Sequence, residues 1–117
     1  MTHYCLLVAM SEEDTIEGVL RPFSIYSDDG LEIRDGKHDY WMEGGKFGQF
    51  HLKSGKMATQ ATKAEIAFTG DFATAAILMF GKWFEPLPGI EWEKGAYKDL
   101  LSGIPDEAVC VLVDCHE

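Results

Sequence analysis

A chain of 117 residues with 46% hydrophobic and 26% charged side chains has the composition of one globular domain spanning residues 1–117, which excludes the disordered class. No apolar run approaches the roughly 20 residues that cross a bilayer. Met1-Thr2-His3-Tyr4-Cys5 lacks a basic leader, and three cysteines without metal spacing do not make a disulfide scaffold, so a cytoplasmic protein is expected. The formal net charge of −10 opposes direct contact with nucleic acid and favours a partner with a basic surface.

Tyr4–Met10 is a continuous apolar run of strand length and predicts a buried central strand. Ser11 then reads as a helix N-cap, with Glu12, Glu13 and Asp14 in the first turn, where acids suit the positive end of the helix dipole. Ile16, Val19, Leu20 and Phe23 recur at helical spacing until Pro22 ends the helix. Phe23–Ser27 has the length of a short strand, and Asp28-Asp29-Gly30 and Asp35-Gly36 are turn signals around a short Leu31–Arg34 segment.

Residues 38–51 hold the densest run of aromatics, glycines and histidines. Phe47–Leu52 alternates, so Gly44-Gly45 is expected to turn an aromatic hairpin, with Lys53-Ser54-Gly55-Lys56 closing it. Met57, Ala61, Ala64 and Phe68 have the spacing of a short helix over 57–67. Gly70-Asp71 is a turn, and the apolar run Ala73–Phe80 leads through Gly81-Lys82 into Trp83-Phe84-Glu85 as strand, turn and strand. Pro86-Leu87-Pro88-Gly89 reads as a rigid loop. Glu91–Gly103 is a second helix with Trp92, Ala96, Leu100 and Leu101 on one face, Gly103 as its C-cap and Pro105 beyond it. Val109–Val113 is a third buried strand running into Asp114-Cys115-His116.

This order predicts an α+β fold, a mainly antiparallel sheet with two helices on one face. A ferredoxin-like arrangement with a hairpin insertion fits it, with the first and last strands paired antiparallel.

Three pieces carry a resemblance: Asp39-Tyr40-Trp41-Met42-Glu43-Gly44-Gly45-Lys46-Phe47, then Gly81-Lys82-Trp83-Phe84-Glu85, then the helix from Trp92 with Pro105-Asp106-Glu107 and Val113-Asp114-Cys115-His116. Together they resemble a group of small bacteriophage proteins that share an Asp-Trp-Trp-x-Ile-Gly-Gly-Arg-Trp motif and a Val-Val-Asp-Cys-His ending. Lys46 stands where the group has Arg, and Phe47 where it has Trp. The resemblance implies a phage origin and no particular activity.

Charge is unevenly spread: residues 11–35 carry eight acids against two arginines, and residues 36–63 carry five lysines against two acids. A specific contact surface is expected at either the basic aromatic island (Trp41, Lys46, Phe47) or the acidic helix edge opposite it (Glu12, Glu13, Asp14, Glu17). Gly44-Gly45-Lys46 has phosphate-cradle chemistry without P-loop spacing. Tyr40, Trp41, Phe47 and Phe50 with nearby lysines have the composition of a single-strand nucleic-acid platform, which the acidic remainder opposes; packing in a small core is the more common outcome for such aromatics. His3, Cys5, Asp114 and His116 are metal-ligand types that strand pairing would bring together. Cys115 and His116 are strand neighbours on opposite faces, so they do not form a catalytic dyad. No cofactor and no catalytic residue is assigned. The expected function is binding and inhibition of a host protein, as in anti-CRISPR or other anti-defence inhibitors. A small ligand- or metal-binding enzyme and a minor virion or assembly protein are the alternatives.

Overall fold

A computed structural model describes residues 3–24, 36–38, 40–68, 72, 74–86 and 94–116, with backbone alone for 94–97. The expected elements within residues 25–35, the turn at Gly70-Asp71, most of the loop after Pro86 and the Trp92 end of the second helix lie outside the described residues.

Strand β1 (His3–Met10) is central, as its unbroken apolar run predicts. It pairs antiparallel with β8 (Val109–His116) on one side, in the register His3 with His116 through Met10 with Val109. On the other side it runs parallel to β6 (Ala76–Met79), which turns back into β7 (Lys82–Phe84). Alternation divides β1 between two cores. Cys5, Leu7 and Ala9 pack with Phe50, Ile77, Cys110 and Leu112 on one face, and Leu6, Val8 and Met10 with Leu20, Leu78, Val111 and Val113 on the other.

The outer edge of β8 is served by two separate segments. β2 (Tyr40–Glu43) pairs with its end, Val113–His116, and β5 (Gln60–Thr62) with its beginning, Val109–Val111. Between them the Gly44 N–H donates to the Leu112 carbonyl at 2.7 Å, and the Leu112 N–H donates to Thr59 at 2.9 Å. The chain therefore leaves β8 at Gly44 and rejoins it at Thr59. The excursion carries a small hairpin, β3 (Phe50–His51) with β4 (Met57–Ala58), which brings Phe50 against Phe68 and Phe72 in the first core.

The α+β class and the mainly antiparallel sheet hold, as does the β1–β8 pairing. The helices, however, do not share a face. In α1 (Ile16–Leu20), Ile16, Val19 and Leu20 join the Leu6–Val8 core, whereas in α2 (Lys94–Ser102) Leu100 and Leu101 pack on the Leu7–Cys110 core. Both faces of β1 and β8 are apolar, so each needs its own cover. The ferredoxin-like arrangement also departs at β1 and β6, which run parallel.

Three local expectations are corrected. Ser11 does not cap α1: its hydroxyl accepts from the Glu13 N–H, its own N–H donates to the Asp14 carboxylate, and this closed turn uses up the cap. Thr15 caps instead, accepting from the Gly18 N–H at 3.1 Å. Glu12, Glu13 and Asp14 thus stand on an exposed turn before the helix, and Glu17 is the acid in its first turn.

Gly44-Gly45 does not turn a hairpin. Gly45–Phe47 forms a 3-10 turn that leads off the sheet, and the hairpin turn is the Lys53–Lys56 segment between β3 and β4. Residues 57–67 are not a helix, because β8 recruits 60–62 as a strand; the pairing outweighs the weak helical spacing. What remains of the helical signal is a 3-10 turn, Lys63–Glu65, held by a Thr62–Glu65 capping box. Among the described residues no helix is long and apolar enough to cross a membrane.

Candidate functional site

The β1–β8 register sets His3 opposite His116 and Cys5 opposite Asp114, and β2 adds Tyr40 beside His116. All five lie on one face by alternation. His3 Nδ1 and Asp114 Oδ1 are 2.8 Å apart, and the Lys46 N–H donates to Asp114 Oδ2 at 2.9 Å. The His3 and His116 rings meet edge to face at 4.8 Å between centroids, with Tyr40 edge-on to His116 at 6.1 Å. Asp114 and His116 are buried, and His3 is exposed.

Burial alone would push the Asp114 pKa up. The Lys46 N–H, the His3 hydrogen bond and the charges of both residues outweigh that, and the carboxyl titrates below its ordinary 3.8. Asp114 is therefore an anion at neutral pH, and because a carboxylate only accepts, His3 Nδ1 carries the hydrogen of the 2.8 Å contact, an arrangement that orients the imidazole.

The glycines explain how Asp114 is reached. Gly45 has φ +50, and a Cβ there would lie 2.6 Å from the Asp114 carboxylate. Gly44 has φ +71, and a Cβ there would meet Thr59 at 2.6 Å. Neither position accepts a side chain. The Gly-Gly pair is thus a close-approach device that lays the Lys46 N–H on Asp114. It is not a phosphate cradle, because the Gly44 and Lys46 N–H groups are already committed to protein acceptors.

Of the metal set, His3, Asp114 and His116 meet, while Cys5 lies in the core beside them. Both Asp114 oxygens are occupied by donors, and among the described residues no group of three or more His, Cys, Asp or Glu is arranged to hold a metal ion. The thiols are poor nucleophiles. Burial raises Cys5, lifts Cys110 to about 11 and lifts Cys115 to about 12, so all three are protonated at neutral pH.

The aromatic island is divided by the sheet. Trp41 packs towards the Leu6–Val8 core, Phe47 towards the opposite core, and Phe50 is buried, so these rings form no single stacking platform. Of the acidic edge, Glu17 is not opposite Trp41 but beside it: Trp41, Tyr40, Glu17 and Arg21 line one depression, while Glu12 lines a separate groove. Trp41→Ala is expected to cost roughly 2 kcal/mol in urea denaturation, since a half-buried indole loses its packing. Unchanged stability would return Trp41 to a purely surface role. Lys46 keeps its exposed ammonium, and its backbone does the structural work.

One exposed residue was not singled out from the sequence. Phe80 is 51% exposed in the two-residue turn between β6 and β7, with φ +49, followed by Gly81 at φ +84. Such turns favour Asn, Asp or Gly at both positions, so a phenylalanine there is a signal readable once the hairpin is drawn. Phe80 faces a groove that it shares with Ser11, Glu12, Pro105, Glu107 and Ala108. Compared with known proteins, the chain matches no family model, no curated protein and no solved structure.

Proposed function

We propose that this is a small phage-encoded protein that binds and inhibits a host protein through acidic surface, in the manner of an anti-CRISPR or other anti-defence inhibitor. One observation carries the reading. Glu12, Glu13 and Asp14 project from an exposed turn, and the ion pairs among the described residues, His3–Asp114, Arg21–Glu17 and Lys37–Glu85, involve none of them. On a chain of net charge −10, uncompensated carboxylates complement a host surface built to hold nucleic acid. The bacteriophage resemblance supports the setting, and host cytoplasm is the compartment it implies.

The test is competition. A purified nucleic-acid-binding effector is expected to lose its nucleic acid to this protein, less effectively as salt is raised. Lysine at Glu12, Glu13 and Asp14 together should weaken the competition at least tenfold. Competition indifferent to both salt and charge reversal would sink the reading.

A second reading, ligand binding or catalysis at the strand ends, is favoured by the oriented His3–Asp114 pair. Nucleotide and phosphate-ester panels read by chemical-shift changes at His3 and His116 test it. Silence at both residues removes it.

A further inference from the structure

We propose that the groove beside Phe80 is the contact site for a basic segment of the partner that also carries an apolar side chain. This rests on the binding reading above and gives it an address. The groove has a volume of about 430 Å³. Its apolar walls are Phe80, Pro105 and the buried Ala108, and its charged rim is Glu12 and Glu107, with no lysine or arginine among the described lining residues. Glu13, Asp14 and Asp106 are exposed next to these in sequence.

Charge complementarity selects the occupant. An acidic partner would be repelled at this rim, and a purely apolar one would leave the carboxylates facing it without cations. An arginine- or lysine-bearing segment satisfies Glu12 and Glu107, and a leucine or similar side chain covers Phe80, the pattern of an apolar contact inside a polar rim.

Phe80 supplies an independent argument. A bulky side chain at φ +49 is strained, and this one is spent on solvent rather than on the core. Asparagine or glycine would make the same turn more stably. Strain kept together with exposure points to use, because folding alone would discard both.

The experiment is titration of the full chain with a short synthetic peptide of alternating arginine and leucine, followed by amide chemical shifts, beside peptides of arginine–glycine and glutamate–leucine. Shifts are expected at Ser11, Glu12, Phe80, Gly81, Glu107 and Ala108, with arginine–leucine binding tightest and glutamate–leucine not at all. Phe80→Asn should weaken binding at least tenfold while Tm rises by roughly 3 °C as strain is relieved, which rules out misfolding as the cause. The proposal is overturned if Phe80→Asn binds like the parent protein, if no basic peptide binds, or if the shifts centre on Trp41 and Glu17. In that last case the acidic-binding reading stands and only the groove falls. Effector competition that survives Phe80→Asn but not the Glu12, Glu13, Asp14 charge reversal separates the two in the same way.

Discussion

Asp114→Ala is expected to destabilise the fold by about 3 kcal/mol, a large fraction of what a domain this size possesses. The carboxylate is buried and accepts from both His3 and the Lys46 backbone. Its removal leaves the partly buried Lys46 N–H without its acceptor and unties the turn that carries the chain off β8. Asp114→Asn keeps the volume and one acceptor oxygen, so its loss should be smaller. The effect is pH-dependent with a definite sign. The folded-state pKa lies below the ordinary 3.8, so the unfolded chain takes up the proton first as pH falls. The stabilisation is complete above that value and disappears as pH drops through the lower folded pKa. Denaturation midpoints of parent and variant should therefore be well separated at neutral pH and converge in acid. A constant gap across that window would mean that Asp114 acts by packing and not as an anion.

Gly45→Ala should be comparably damaging, for a coupled reason. The new methyl would sit 2.6 Å from the Asp114 carboxylate at a backbone φ of +50. Either the turn retreats and the Lys46 N–H leaves Asp114, or the carboxylate moves and His3 is released. The cost should approach that of Asp114→Ala, about 3 kcal/mol. The informative measurement is the double variant. With Asp114 already alanine, Gly45→Ala no longer has a carboxylate contact to break; it keeps the backbone strain of about 1 kcal/mol and the approach to the β-carbon of residue 114, also 2.6 Å from the new methyl, so its cost should be smaller than in the parent protein but above the strain alone. Additive losses would show that the two residues do not act through one contact.

Sequence patterns revealed the sheet's interior well and its margins poorly. The runs Tyr4–Met10 and Val109–Val113 are apolar without interruption, Ala73–Phe80 is broken only by Thr74, and such runs mean burial on two faces. That same fact implies a cover on each face, so the pattern itself carries the placement of α1 and α2 on opposite sides, in conflict with a sheet covered on one face only. Residues 57–67 misled because their helical spacing is weak and the deciding partner, Val109–Val111, is about fifty residues away. The expected convergence of His3, Asp114 and His116 was legible because register follows from pairing the first strand with the last. The role of Gly44-Gly45 was not, since a close approach to Asp114 leaves no local signature. Phe80 was missed for a different reason: an aromatic following an apolar run looks like more core, and only the turn geometry shows that it points away.

The edge of β8 constrains the order of folding. Its neighbours β1, β2 and β5 are all made earlier in the chain, and none of the three pairs with another except through it. On that side of the sheet, every ladder waits for Val109–His116. The pairings span from about fifty residues to nearly the whole length of these 117 residues, so loop closure must precede any gain from them, which makes assembly slow. During synthesis the apolar β1 waits for about a hundred further residues before its antiparallel partner is made, with only the short β6 to shield one side in the meantime. The net charge of −10 bears on the same interval: mutual repulsion between carboxylates opposes association of nascent copies until the strand that completes the sheet is available.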